Sequence, residues 1–215
     1  MNEPEPEFSS PACFLHELGA APGAPTQEQD PAESREDLRL WRKAKREALI
    51  AQRLALLPET RAAASADIAA RLLVLLADSQ QCVAFYWPFR GEYDARPVAR
   101  ALHKAGVALA LPVVVAKAQP LIFRPWRPGI EMIPGVWKIP VPAGGDPVQP
   151  DTLLVPLVGF DTKRFRLGYG GGFYDRTIAA MAKRPRTIGV GFQCGRLRSI
   201  HPQPYDIPMD EIVVA

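Results

Sequence analysis

Between Arg164 and Arg176 the chain reads "RFRLGYGGGFYDR": two arginines, four glycines, then Tyr174, Asp175 and a third arginine. Gly168, Gly170, Gly171 and Gly172 can adopt positive φ and leave their N–H groups uncovered by side chains. Such N–H groups running into a helix start form an anion site, because unsatisfied donors and the helix dipole point the same way. Arg164 and Arg166 could neutralise phosphate oxygens. Asp175 could hold Mg2+, which prefers a few carboxylates with phosphate oxygens and water. No Lys-Ser/Thr follows the last glycine, so this is not a P-loop, and Phe173 stands where the dinucleotide fingerprint needs glycine. The same composition also describes a flexible strand-to-helix turn with a capping aspartate.

Two further segments could do chemistry. Arg39, Arg42, Arg46 and Arg53 fall at helical spacings, so one helix face carries a stripe of guanidinium groups. The stripe is either a solvated surface or a clamp closing over an anionic ligand, and it is too short and too poor in aromatics for nucleic acid. In "WPFRGEYD" (87–94), Trp87 could stack on a flat heterocycle and Glu92 could hydrogen-bond it. A core aromatic and a helix-capping acid would look the same. His103 and His201 stand singly and are read as structural. Cys13 and His16 do not make a metal site, and the scattered Cys13, Cys82 and Cys194 form no CxxC pair. Single cysteines of this kind fit a reducing cytoplasm.

The elements that must position these residues follow from periodicity. Residues 1–34 are rich in Pro, Glu, Ser and Gln and predict a disordered extension. Helices are expected over 35–57, ending at Pro58, and over 59–77. A buried strand is expected in "CVAFYWPF" (82–89), a helix near 95–105, and a β-branched strand over 107–115. Residues 118–150 are Pro-rich and irregular, with "LIFRPW" an edge strand. "LLVPLVGF" (153–160) is the next strand, followed by the glycine segment, a helix to about 183, a strand over 187–192 and a last strand in "DEIVVA". Strands alternating with helices indicate an α/β fold with a parallel, helix-covered sheet. Ligands of such sheets bind at the carboxyl ends of the strands, where both "WPFRGEYD" and the glycine segment fall.

The chain of 215 residues suits a single α/β domain over 35–215. Its net charge of +3 implies no nucleic-acid partner. No apolar run approaches the roughly 20 residues that span a bilayer, and the acidic start is no secretory signal.

Taken together, "RFRLGYGGGFYDR" preceded by "VPLVGFD", "RKAKREALIAQRLALLPETR" near the start, "FYWPFRGEYD", and "YDIPMDEIVV" at the end resemble the 5-formyltetrahydrofolate cyclo-ligase family over about 36–215. The resemblance implies an ATP- and Mg2+-dependent ring closure. The formyl oxygen of 5-formyltetrahydrofolate is phosphorylated, N10 attacks the activated carbon, and phosphate leaves to give 5,10-methenyltetrahydrofolate and ADP. Such a reaction needs charge neutralisation and positioning more than a protein nucleophile. Arg42 and Arg46 match the family's basic pair for ATP phosphates; Lys is frequent at the position of Arg42, and Lys43 is a substitute. Arg166, Leu167, Gly168, Tyr169, Gly170, Gly171, Gly172, Phe173 and Tyr174 match its nucleotide loop, with Arg166 and Tyr174 as catalytic residues. Tyr169 to Phe173 also border the folate formyl group, and Phe173 lacks the hydroxyl common there. Trp87 and Glu92 match the folate site, and Asp175 and Asp206 the magnesium carboxylates. The implied fold is a three-layer α/β/α sandwich around a mostly parallel sheet, similar to sugar-phosphate isomerases and CoA transferases. The implied partners are a reduced folate and ATP, with no membrane, for a cytoplasmic monomer. The alternative is a non-catalytic sugar-phosphate or nucleotide effector module of the same fold type. An isomerase reading lacks a Glu/His base for proton transfer.

Overall fold

The computed structural model of the chain describes residues 34–77 and 82–215. The disorder expected over 1–34 falls, Ser34 apart, outside the described residues, as do Cys13 and His16.

Helix α1 (Arg35–Leu54) starts on Ser34, whose hydroxyl accepts the Asp37 N–H at 3.1 Å. Glu36 and Asp37 in its first turn complement the helix dipole. It stops at Leu54 rather than the expected Leu57, and Leu57, immediately before Pro58, is extended at ψ 145°, as the steric demand of the proline ring requires. Pro58 then opens α2 (Pro58–Leu75).

The remaining elements are β1 (Cys82–Ala84), α3 (Arg96–Lys104), β2 (Ala108–Val113), β3 (Ile122–Trp126), β4 (Met132–Pro134), β5 (Pro140–Pro142) and β6 (Thr152–Pro156). After them come β7 (Gly159–Phe160), β8 (Arg166–Leu167), α4 (Phe173–Ala180), β9 (Arg186–Gly191) and β10 (Glu211–Val214). The main sheet runs β10-β9-β6-β1-β2-β3. Its pairs are parallel except β2 with β3, so the segment expected at an edge is one. The α/β class with a mostly parallel sheet is as anticipated.

Alternation along the strands feeds two cores. Val83, Phe85 and Leu154 pack with Ile68 and Leu72 of α2 and Val98 and Leu102 of α3. Ala84, Leu153 and Val155 pack with Ile178 of α4. Helices therefore cover both faces, and each such leucine cut to alanine costs roughly 2–5 kcal/mol. A third cluster seats Leu49 and Ile50 of α1 on Val158, Leu167, Leu197 and Ile200.

Three further expectations change. The strand expected over 82–89 ends at Ala84, and the chain leaves it into a turn where Arg90 (φ 48°) and Gly91 (φ 74°) are left-handed. The strand expected over 153–160 is two: β6 ends at Pro156, and Gly159–Phe160 turns away to pair antiparallel with β8. The Pro-rich stretch contains the antiparallel pair β4–β5; a two-stranded ribbon tolerates proline because no further strand needs its N–H. The residues between β4 and β5 carry Trp137 (φ 55°) and Lys138 (φ 59°) in left-handed conformation.

Strand order reverses between β1 and β6. From β1 the sheet proceeds to β2 and β3; from β6 it proceeds to β9 and β10. Loops leaving neighbouring strands at such a point diverge and open a crevice. The loops there are the Trp87–Asp94 turn and the β7–β8 hairpin that delivers the glycine segment.

Candidate active site

A cavity of about 1160 Å³ occupies this crevice. Its walls include Arg42, Arg46, Trp87, Glu92, Asp175, Asp206 and every residue from Arg166 to Tyr174. Lys43 is exposed and does not line it, so the cationic contact of α1 with the cavity is made by Arg35, Arg39, Arg42 and Arg46.

The glycine segment is shaped by its neighbours. Gly170 (φ 93°) and Gly172 (φ 63°) are left-handed, and Gly172 caps α4. None of the backbone N–H groups from Gly168 to Phe173 donates a hydrogen bond among the described residues. A run of unused donors ending at a helix start is an anion cradle. Arg46 lies over it: its Nε donates to the Gly168 carbonyl at 2.7 Å, and a Cβ on Gly170 would sit 3.3 Å from its guanidinium carbon. The terminal nitrogens of Arg46 make no hydrogen bond among the described residues. Burial and then the Arg42 charge lower its pKa, against the opposing pull of Asp206.

Both aspartates are engaged. Asp175 Oδ2 accepts from Arg166 Nη2 at 2.8 Å, and its Oδ1 accepts the Ile207 N–H at 3.2 Å. Asp206 Oδ2 accepts from Arg42 Nη2 at 2.6 Å and from the Gln203 N–H at 2.7 Å. Arg42 also donates to the carbonyls of Ile200 and His201, at 3.2 and 2.7 Å. No cluster of three or more metal-ligating side chains occurs among the described residues. The Asp175 bond to the residue after Asp206 brings two carboxylates to one wall beside the anion cradle. That donor set suits a hard cation completed by phosphate oxygens and water, so the residues fit Mg2+.

Arg166 is buried, its guanidinium lies 5.4 Å from the centre of the Tyr174 ring, and its Nε has no partner among the described residues. Burial, and then the charge of Glu92, push the Tyr174 hydroxyl pKa up, which keeps it a donor at neutral pH.

Glu92 is 9% exposed. Its Oε2 accepts the Phe89 N–H and its Oε1 the Tyr169 hydroxyl, each at 2.9 Å. Burial pushes its carboxyl up to about 7, and the Phe89 N–H, Arg53 and Tyr169 hold it from rising further. Trp87 is half-buried on the same wall, with the Arg96 guanidinium 4.9 Å from its ring centre.

Arg53 departs from the predicted stripe. It is buried and absent from the cavity wall, donating instead to protein carbonyls and to Tyr169. Arg164, with φ 66°, reaches the Asp210 carbonyl at 2.6 Å and does not line the cavity either. Lining residues that sequence reasoning missed include Trp137, half exposed and stacked on Phe89 with ring centres 6.3 Å apart, and Tyr205, 70% exposed. Only the exposure of these aromatics marks them, and exposure is not written in a Pro-rich stretch.

The 5-formyltetrahydrofolate cyclo-ligase family model matches residues 33–215. The chain is 32% identical over 173 residues to 5-formyltetrahydrofolate cyclo-ligase of Escherichia coli K12, covering 75% of this chain and 93% of that protein. It is 31% identical over 139 residues to the enzyme of the same name from Haemophilus influenzae, covering 61% of this chain and 74% of that one. Among solved structures, 5,10-methenyltetrahydrofolate synthetase of Aquifex aeolicus superposes with a TM-score of 0.70 at 27% identity, over 80% of this chain and 89% of that one. The synthetase of Mycoplasma pneumoniae gives 0.66 at 21% identity, over 80% and 97%, and at that identity speaks for the fold.

Proposed function

The chain belongs to the 5-formyltetrahydrofolate cyclo-ligase family, and from that premise we propose that it closes 5-formyltetrahydrofolate to 5,10-methenyltetrahydrofolate at the expense of ATP. It is an enzyme of this kind, which sets aside the effector-module alternative. The observation that carries the detailed reading is that one cavity joins an unsatisfied glycine-loop backbone under Arg46 to the buried acid Glu92, with Tyr169 touching both.

In this reading the Gly168–Phe173 amides and Arg46 hold the triphosphate. Arg166 stabilises the charge that develops on the transferred phosphoryl group, and its ion pair with Asp175 fixes the guanidinium beforehand. Glu92 accepts the donor nitrogens of the pterin, and Trp87 lies against the ring. The formyl oxygen attacks the γ-phosphorus as ADP leaves. N10 then attacks the activated carbon, loses its proton, and phosphate departs. Tyr174, held protonated, donates a hydrogen bond to the reacting oxygen. Asp175 and Asp206 would hold Mg2+, which when bound supplies charge neutralisation at the phosphate oxygens. The chain's own contribution is positioning and exclusion of water. We read the protein as a cytoplasmic monomer.

Purified protein mixed with 5-formyltetrahydrofolate, ATP and Mg2+ should develop methenyl absorbance in the near ultraviolet. The detailed reading fails if no ATP-dependent product forms and ATP alone does not raise the melting temperature.

A further inference from the structure

Arg53 sits outside the cavity at 3% exposure, a charge withdrawn from water with no carboxylate bonded to it among the described residues. Four hydrogen bonds hold it. Nε and Nη2 both donate to the Arg90 carbonyl, at 3.2 and 2.9 Å; Nη1 donates to the Leu157 carbonyl at 3.1 Å; Nη2 donates to the Tyr169 hydroxyl at 2.8 Å. A guanidinium can only donate. The Tyr169 oxygen therefore accepts from Arg53, and its single proton goes to Glu92 Oε1 at 2.9 Å in preference to the Phe89 carbonyl at 3.4 Å.

Arg90 belongs to the left-handed Arg90–Gly91 turn that carries Glu92, and Arg61 of α2 takes the Gly91 carbonyl at 2.8 Å. Arg53 thus grips the backbone two residues before Glu92 and also orients the hydroxyl bonded to its carboxylate. With Oε2 held by the Phe89 N–H, both Glu92 oxygens are fixed as acceptors. Their remaining lone pairs are then left for donors on a ligand.

We propose that Arg53 is a positioning residue for the folate end of the site, acting through the Arg90 carbonyl and the Tyr169 hydroxyl to present Glu92 as an oriented acceptor. The proposal rests on the reading that Glu92 faces the folate. The titratable and charged groups around Glu92 are Arg53 from α1, Tyr86 following β1, Tyr169 from the glycine loop and Tyr174 from α4. Arg53 is the cation that opposes the effect of burial on Glu92, and Tyr169 adds to it through its hydrogen bond. Removing either makes Glu92 take up its proton at higher pH and cease to accept at that oxygen.

The test compares Arg53→Gln, Arg53→Lys, Tyr169→Phe and the Arg53→Gln/Tyr169→Phe double variant in the full chain. Tyr169→Phe breaks the relay while sparing the three carbonyl bonds of Arg53, so it remains informative should Arg53→Gln fold poorly. Arg53→Gln and Tyr169→Phe should each raise the folate KM about tenfold, the effect of one lost charge-assisted hydrogen bond, with the ATP KM within about twofold. The acid limb of the folate kcat/KM profile should move to higher pH, Arg53→Lys should restore part of the loss, and the double variant should fall short of additivity. A folate KM and acid limb unmoved in Tyr169→Phe overturn the inference. So does an Arg53→Gln whose ATP and folate KM rise together with a fall in melting temperature, since that marks a scaffold only. Absence of any folate turnover by the wild-type protein would instead remove the functional reading and this inference with it.

Discussion

Glu92 is held against its own preference. Its carboxyl takes up a proton at about 7 in the folded protein, against an ordinary 4.5. Between those values the folded chain keeps a proton that the unfolded chain releases, so stability falls as pH rises through that window, by up to about 3 kcal/mol. Glu92→Gln should therefore be at least as stable as wild type at pH 8, by about 1–3 kcal/mol, with a flatter dependence of melting temperature on pH between 4.5 and 7. The same variant should lose most of its affinity for the folate. Calorimetry over pH 4–8 with a parallel KM measurement checks both, and a Glu92→Gln less stable at pH 8 would mean that the carboxylate contributes more to the fold than burial costs it. "WPFRGEYD" suggested Glu92 for hydrogen bonding, but its partner Tyr169 is 77 positions away. Separation of that order is invisible to local reading.

At the scale of elements, the glycine loop is a backbone device. Gly170 at φ 93° lies where an L side chain is strained, directly under Arg46. Gly170→Ala should lower stability by about 1–2 kcal/mol through backbone strain and displace Arg46 from the cradle. The expected signs are a lower urea midpoint and an ATP KM raised several-fold, with folate KM changed less. An ATP KM equal to wild type would show that Arg46 does not serve the phosphates. Composition marked this loop but left an anion site and a flexible turn both open; the left-handed Gly170 and Gly172 and the unused N–H groups favour the anion site. The stripe on α1 was legible except at one position: Arg39, Arg42 and Arg46 line the cavity, whereas Arg53, seven positions from Arg46, turns inward. Spacing places all of them on one side of the helix, and the packing of Leu49 and Ile50 into the β7–β8 cluster decides how that side tilts.

For the molecule as a whole, the lining residues run from Arg35 to Ile207, and the family match begins at residue 33. Removal of residues 1–32 should leave kcat/KM for folate within about twofold of wild type. Removal of 1–35 additionally deletes Ser34, whose cap on α1 is worth about 1 kcal/mol, and should lower the melting temperature by a few degrees. Assays of the two truncations side by side test this, and activity lost in the shorter deletion would assign residues 1–32 a part in the site.

By itself the sequence determined the strand–helix alternation, the α/β class, the glycine-rich turn into α4 and the family resemblance. These are written in local periodicity and in one dense motif. Tertiary structure alone decided that Arg42 and Asp206, 164 positions apart, form one pair, and that Lys43 stands outside. It also decided that Arg53 supports Glu92 from behind and that Trp137 borders the cavity. The physical reason is the reversal of strand order between β1 and β6: it gathers loops from distant parts of the chain over one crevice, and which side chains meet there depends on how the elements pack.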